Sequence, residues 1–430
     1  MKPLSILLDA RKLGDGGIGI YIENLIEGLL SRKREGYPLT LSLIVGKDET
    51  ENRFASEVNL YVDKAKKYSL DEYFGLPRRL NAAFKANDIF HSPHYTLPRG
   101  VPIPSVVTIH DAIHLMAPET ISQRVFGSYL LRSALKRATQ VVTVSGVSLA
   151  RLGRIAPGVP VTVVQNSLAS GIEPVSVEFV SRAVKKYSLR QPFVLFVGSD
   201  RPHKGFDILL GALESLKEFS PMLVAVGERY SKRTKDLASK SLGAERIKFI
   251  DTLSREELVA LYNGARAVVV PSRMEGFGLV ALEALACGAP LVCTPEMSLK
   301  EVAGNCAWYS QGFTAAEVAE AIRSCFSNRE IAEEKAEAGL QRASEFGQER
   351  STEAHLQVYQ SLLPDYRSRQ IFGASLQDRE PISYLRDSLE YSNEGIMESI
   401  TLPDSELPNS MRQASNFSDS KVITEKNLPT

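Results

Sequence analysis

An α/β fold in two halves, each a parallel sheet with helices on its faces and a cleft between them, is what this sequence predicts. Short apolar runs rich in β-branched residues recur along the chain and alternate with helical stretches, the pattern of parallel strands joined by helical crossovers. The 430 residues are enough for two cores of ordinary domain size. Glycine-containing loops follow strands in both halves, and an open α/β sheet collects its ligands beyond the carboxyl ends of its strands.

In the first half, Leu4 to Leu8 reads as a strand and a helix runs to about Arg32. Between them Gly14, Gly16 and Gly19 spell GxGxxG. The context is wrong for a dinucleotide fingerprint: mostly polar or charged residues separate the motif from the strand, and Asp48 lies too far beyond the second strand, Leu39 to Val45. A glycine-rich loop feeding a helix still suits an anion, with Gly16 and Gly17 as the candidates for close approach. Glu49 to Lys67 reads as irregular polar loop, Asp71 to Phe84 as helix, and Ile89 to His91 as strand. The strand Ser105 to Ile109 ends at His110-Asp111, where ligands bind in such sheets, although a lone histidine is also often only a hydrogen-bonded structural group. His91, His94 and His114 share no ligand spacing with His110, so no metal is expected. Gln123 to Ala138 is a helix whose Arg124, Arg132, Lys136 and Arg137 suit a solvated face or a membrane surface. Val141 to Val144 and Val161 to Val164 complete the strands, with Ser145 placed to cap a helix. Residues 1–170 form the first domain, and the stretch with Gly171 and Pro174 opens a linker over 171–185.

The second domain, 186–346, opens with the strand Phe193 to Val197 and the loop Gly198 to Gly205, which carries Arg201 and Lys204 before a helix from Phe206. Strand, glycine, two cations and a helix start outline a phosphate site. Met222 to Val226 and Ile247 to Ile250 are strands, with Asp251 in the loop after the second. Ser254-x-x-Glu257 and Thr314-x-x-Glu317 are capping boxes. Val268 to Val270 is a buried strand, Glu275-Gly276-Phe277-Gly278 a loop, and Leu279 to Cys287 a helix apolar everywhere except Glu283, with Gly288 as its cap. The N–H groups around Phe277, Gly278 and Leu279 face out of a helix N-terminus, an anion site. A phosphate there, with carboxylates beside it for hydroxyls, suits a nucleotide sugar; the other reading pairs Glu283 with a core cation and leaves the glycines as a turn. Helices continue to about Leu363, and from Asp365 the composition turns to serine, acids and few bulky residues, that of a disordered tail over 365–430.

Lysine plus arginine equals aspartate plus glutamate at 51 each, which argues against a nucleic-acid binder working through bulk charge. Cys287, Cys293, Cys306 and Cys325 form no CxxC and read as reduced, buried small hydrophobes of a cytosolic protein. The apolar run in MKPLSILLDARKL is too short for a signal peptide, and no stretch has the uninterrupted apolar length of a membrane span.

PSRMEGFGLVALEALACGAPLV resembles the signature of the retaining GT-B glycosyltransferases of family 4: a Glu, seven residues, then a second Glu, among glycines and small helix residues. The resemblance implies two Rossmann-like domains facing each other across a cleft, with Glu275 beside the donor sugar and Glu283 on the ribose hydroxyls. Three further segments are similar to the family's. DARKLGDGGIGIYIENL matches the first loop, which faces the donor phosphates and the acceptor. TIHDAIHLMAPE matches T-x-H-D, putting His110 on the donor-sugar and acceptor side and Asp111 beside it, to orient it or bind acceptor. FVGSDRPHKGFDILL matches the segment whose Arg and Lys hold the diphosphate, here Arg201 and Lys204, with Gly205 where many relatives have Asn. The nucleobase would meet the Asp251 loop, largely through backbone, and a last helix over 347–364 would cross back to the first domain. The implied activity moves a hexose, with mannose from GDP-mannose as first guess, to an acceptor hydroxyl with retention, in polysaccharide or glycolipid assembly. It implies no cofactor and no metal, a glycan or lipid-linked acceptor, no nucleic acid, and a cytoplasmic place with peripheral contact at the inner face of the membrane. The alternatives are a nucleotide-sugar 2-epimerase of the same fold, told apart by a free sugar-nucleotide product, and a catalytically idle subunit that binds nucleotide sugar.

Overall fold

A computed structural model describes residues 3–47, 51–116, 121–228 and 230–363, the side chains of 114 and 121–124 excepted. In the first half, β1 (Leu4–Asp9), β2 (Leu39–Val45), β3 (Asn59–Val62), β4 (Ile89–Ser92), β5 (Ser105–Ile109), β6 (Gln140–Thr143) and β7 (Val161–Val163) form one sheet in the order β3-β2-β1-β4-β5-β6-β7. In the second, β8 (Phe193–Val197), β9 (Met222–Val226), β10 (Ile247–Ile250), β11 (Ala267–Val270), β12 (Leu291–Cys293) and β13 (Trp308–Tyr309) run β10-β9-β8-β11-β12-β13. Every pairing in both sheets is parallel. Helices cover both faces, so the central strands are buried on both sides: Ile6, Leu7 and Leu8 are consecutive and all fully buried. The strand order reverses between β1 and β4 and between β8 and β11, the two points beyond whose strand ends open α/β sheets take their ligands.

The fold expected from the sequence is the one observed, with local differences. The stretch Glu49 to Lys67, read as irregular, contains β3, a half-exposed edge strand paired on one side only, so it carries none of the apolar run that marks a buried strand. The helix expected over Asp71 to Phe84 is two helices, Leu70–Arg79 and Asn81–Ala86. Pro77 cannot bond the Tyr73 carbonyl one turn back; the Arg99 N–H takes it at 2.7 Å, and the helix ends within a turn. Most of the expected linker 171–185 is the helix Val177–Lys186, capped by Ser176 and packed on the helix Arg255–Gly264. Its turn signals, Gly171 and Pro174, lie just before that cap.

The expected caps are present: the Ser145 hydroxyl accepts from the Ser148 N–H at 2.9 Å, and both capping boxes close. The four cysteines are free, with Cys287, Cys293 and Cys325 buried and Cys306 half-buried. The closing helix Gln348–Ser361 returns to the first half and packs on the opening helix Gly16–Arg34. Gly28 permits that approach, because a Cβ there would sit 1.9 Å from the Thr352 hydroxyl. No described helix is long and apolar enough to cross a membrane. The tail expected over 365–430 lies outside the described residues.

Candidate active site

The second sheet's crevice lies between the loops that leave β8 and β11. After β8 the chain makes a short turn, Pro202–Lys204, and reaches Gly205 at φ +69°. Glycine is required there, since a Cβ would lie 1.9 Å from the Pro271 carbonyl oxygen at the end of β11. The close approach sets Lys204 over the second loop: its Nζ donates to both Glu275 carboxylate oxygens at 2.8 and 3.0 Å, and Ser272 Oγ donates to the first at 2.7 Å. A cation and a carboxylate therefore share the switch point. Arg201 precedes the short turn in extended backbone, exposed.

Both halves pin the Glu275 loop. Ser298 Oγ donates to the Glu275 carbonyl at 2.8 Å, and Arg151, from the first half, donates to the same oxygen while its guanidinium also pairs with Glu296. Ser145 and Ser148 donate to the Gly276 carbonyl at 2.6 and 3.0 Å. Glu301 in turn accepts from the N–H groups of Gly146 and Val147 at 2.9 and 3.2 Å, a carboxylate from one half at a helix start of the other. At Gly276 the halves touch: a Cβ would lie 2.5 Å from the His110 carbonyl oxygen and 3.1 Å from Asp111 Cβ. Phe277 is buried edge-on against Phe346, and Gly278 at φ +104° starts the helix Leu279–Ala286 without any side-chain cap, leaving the first-turn N–H groups uncapped by a side chain. Leu279 lies under Gly17 of the opening helix, 3.8 Å from where a Cβ would be.

His110 follows β5. Its Nε2 lies 2.9 Å from the Pro93 carbonyl, an acceptor only, so Nε2 carries the proton and Nδ1 is left as an acceptor without a hydrogen bond among the described residues. Burial pushes its pKa down, against the pull of the Pro93 bond and Asp111. Asp111 accepts from the Ile113 N–H at 2.9 Å and so caps the next turn; its carboxylate is not what orients His110. His203 joins the same group of charges: burial lowers its pKa, Lys204 adds to that, and Glu275 and Asp111 oppose it.

Glu283 has neither of the partners a core reading would give it. The Tyr262 hydroxyl donates to it at 2.6 Å. Burial pushes the Glu283 carboxyl up, while Tyr262 and Arg255 pull it down. Gly16 sits at φ +51° with open space around it, and Asp251 is exposed beyond β10, paired with Lys235 at 3.3 Å. The structure thus joins Lys204, Glu275, Gly276, Phe277, Gly278, Leu279, His110, Asp111 and Gly17 in one contact set. It leaves Asp251 on a neighbouring loop of the sheet.

Sequence reasoning passed over Arg151, Ser148 and Ser298, which grip backbone carbonyls and carry no motif, and it read Ser145 only as a helix cap. It also missed a buried cluster behind the first loop. Arg11 bonds both Asp9 oxygens at 2.8 and 2.6 Å, Glu72 at 2.8 Å and Asp63 at 3.2 Å. Burial pushes Glu72 up to about 7 and the neighbouring Lys12, laid over the Tyr68 ring, down to about 8. Asp9, Glu72 and His94 have the spacing of a cation site, but the guanidinium already meets both carboxylates.

Residues 179–342 match the family described as Glycosyl transferases group 1. The chain is 24% identical over 364 residues to an uncharacterized glycosyltransferase of Methanocaldococcus jannaschii, covering 81% of this chain and 95% of that protein. It is 29% identical over 287 residues to the O-antigen chain mannosyltransferase B of Escherichia coli, covering 64% and 74%. Among solved structures, a protein of Anabaena in complex with UDP-glucose superposes with a TM-score of 0.66 at 18% identity, over 84% of this chain and 100% of that one. The fold is GT-B, with two parallel-sheet Rossmann-like domains. Together the matches support a group 1 glycosyltransferase of the GT-B type, and they lend no support to the epimerase alternative.

Proposed function

We propose that this chain transfers a hexosyl group, mannosyl first among them, from a nucleoside-diphosphate sugar to a hydroxyl of a glycan or lipid-linked acceptor, with retention and without a divalent metal. The observation that carries the reading is the convergence of Lys204, Glu275 and His110 on one crevice from three loops and both halves. In this reading Lys204, Arg201 and the helix start at Gly278 meet the diphosphate, where charge builds as the glycosidic bond breaks. Glu275 then trades its bond to Lys204 for sugar hydroxyls, and Glu283 takes the ribose. His110 Nδ1 accepts from a sugar hydroxyl. The positive groups supply the role a cation would otherwise play, and the sequence has no Asp-x-Asp to hold one. The E. coli relative supports mannose, and the Anabaena protein supports a nucleotide-sugar donor. Cytoplasmic placement with peripheral membrane contact fits the face where exposed Leu70 and Phe74 adjoin, through Tyr73 and Ser133, the helix bearing Arg132 and Lys136.

The test is to rank GDP- and UDP-sugars by thermal shift, then to follow transfer from the best α-linked donor by proton NMR in buffer with EDTA. An α-linked first product is expected. A β-linked product overturns retention, and silence that reverses on adding magnesium or manganese overturns metal independence.

A further inference from the structure

Behind His110 a line of buried hydrogen bonds joins the closing helix to the first sheet. Tyr359 Oη lies 2.7 Å from His91 Nδ1, and His91 Nε2 lies 2.8 Å from Thr108 Oγ1. Thr108 Oγ1 lies 2.8 Å from Tyr21 Oη, which lies 2.8 Å from His355 Nε2. His355 Nδ1 ends the line 2.8 Å from the Ser351 carbonyl oxygen. Taken singly, each hydroxyl and ring nitrogen could donate or accept. The last group removes that freedom. A carbonyl only accepts, so His355 Nδ1 holds the proton. Burial lowers the pKa of His355 to about 4 and that of His91 as well, so both are neutral near pH 7. His355 Nε2 must then accept, and Tyr21 donates to it. Tyr21 has no second proton, so Thr108 donates to Tyr21. Thr108 has spent its own, so His91 Nε2 donates to Thr108 and His91 Nδ1 accepts from Tyr359. One proton order satisfies every member.

Tyr21 is where this line meets the site. Its ring stands at 87° to the His110 imidazole with centroids 4.7 Å apart. It lies one helical turn beyond Gly17, on the face turned to the cleft. The Pro93 bond fixes one ring nitrogen of His110 but leaves the ring free to tilt about that bond. The perpendicular Tyr21 ring fixes the plane.

We infer that Tyr21 is a positioning residue for His110, clamped through His355 by the helix Gln348–Ser361, so that this last of the described helices holds a site residue of the first half. The consequence for catalysis rests on the proposed transferase reading; the proton order does not.

Long-range proton–nitrogen spectra of the full-length, 15N-histidine-labelled protein, without substrate, test the order directly. His355 is expected as the Nδ1–H tautomer and His91 and His110 as Nε2–H, all neutral at pH 7. The opposite tautomer at His355 or His91 overturns the line. For positioning, Tyr21→Phe and His355→Phe break the same bond. Each is expected to lower kcat roughly tenfold with donor KM within about twofold, and the double variant should be no slower than the slower single. His355→Gln, whose amide oxygen accepts from Tyr21, should keep most of kcat; if His355→Phe does not fold, the fall in Tyr21→Phe against the near-normal His355→Gln carries the test. Tyr309→Phe, which loses a bond to the Gly304 carbonyl at 2.8 Å elsewhere, is the control for stability and should keep kcat. In Tyr21→Ala, water reaches His110, whose other close groups are Asp111, Lys12, the neutral His91 and the Pro93 carbonyl, and its titration should move to higher pH. Effects that multiply in the double variant, or a kcat unchanged in the singles, overturn the inference. The expected tautomers in a protein that turns over no sugar nucleotide keep the line and reject the transferase reading instead.

Discussion

Glu283→Gln should make the protein more stable and a weaker nucleotide binder at once. The carboxylate lies on the inner face of the helix Leu279–Ala286, and the Tyr262 hydroxyl donates to it at 2.6 Å. A glutamine oxygen accepts the same bond, so the Tyr262 hydroxyl keeps its acceptor. What the substitution removes is a buried charge that the fold raises in pKa, through burial first. The sign follows from that direction. A carboxyl whose folded pKa lies above its ordinary value contributes stability in full below the ordinary value and loses it as pH rises through the folded one. The wild-type melting temperature should therefore sag as pH rises through the Glu283 titration, and the glutamine variant should flatten that sag.

Ligand binding goes the other way. If Glu283 accepts the ribose hydroxyls, losing its charge weakens that bond by ~1–3 kcal/mol, or roughly 5- to 150-fold in Kd. Glu283→Leu separates the two effects, because it leaves the buried Tyr262 hydroxyl without an acceptor at a cost of ~1–3 kcal/mol. Melting curves of the three proteins across pH, with and without GDP and UDP, read both quantities, since a ligand of the native state adds RT ln(1 + [L]/Kd). A glutamine variant that melts lower than wild type at neutral pH while binding nucleotide equally well would refute the argument on both counts.

Lys204→Ala should slow the chemical step by roughly 10²-fold or more while nucleoside monophosphate affinity changes little, because the lysine acts where leaving-group charge develops; single-turnover rates check it. Gly276→Ala should cut kcat/KM more than tenfold with little loss of far-UV signal: its Cβ meets the His110 backbone at 2.5 Å, which cannot turn aside, so the halves part while each keeps its own core. Small-angle scattering of that variant should show an expanded particle, and an unchanged profile would count against the contact.

The sheets were legible because strands buried on both faces leave continuous apolar runs, as in Ile6-Leu7-Leu8 and FVLFV, and the loops between them are marked by glycine. The family signature added which loops meet, and Lys204, Glu275 and His110 do converge. What the residues could not announce is whatever depends on one partner only. The edge strand β3 hides because half its surface is wet. The helix Val177–Lys186 hides behind the turn residues that precede it. Arg151 and Ser298 hold carbonyl oxygens, which every residue type carries, so no pattern points to them. Tyr21 and His355 are 334 residues apart, and a single hydrogen bond at that separation leaves no local periodicity. Glu283 was recognisable as a charge needing company, but a phenol across the core satisfies it as well as a cation, and only packing chooses between them.

The state of His110 bears on the mechanism more than its presence does. A neutral imidazole with its Nε2 proton committed to the Pro93 carbonyl offers one lone pair, at Nδ1. Burial lowers its pKa below the ordinary value, which makes it a poorer proton acceptor near neutrality than an exposed histidine. An inverting transfer would need it as a general base against the acceptor hydroxyl. A retaining transfer, in which the donor phosphate oxygen takes that proton, needs it only to accept a hydrogen bond. Glutamine separates the two roles. Its amide nitrogen can donate to Pro93 while its oxygen accepts from the sugar, yet it cannot take up a proton at pH 7. His110→Gln should therefore keep activity within roughly tenfold of wild type, about the scale of one imperfect hydrogen bond, while His110→Ala falls well below it. Added imidazole should not rescue the alanine variant. The kcat of His110→Gln should also lose the acid limb that wild type shows as pH falls through the lowered pKa of His110. Glutamine and alanine variants equally inactive, with imidazole restoring the alanine one, would make His110 the base and would argue for inversion.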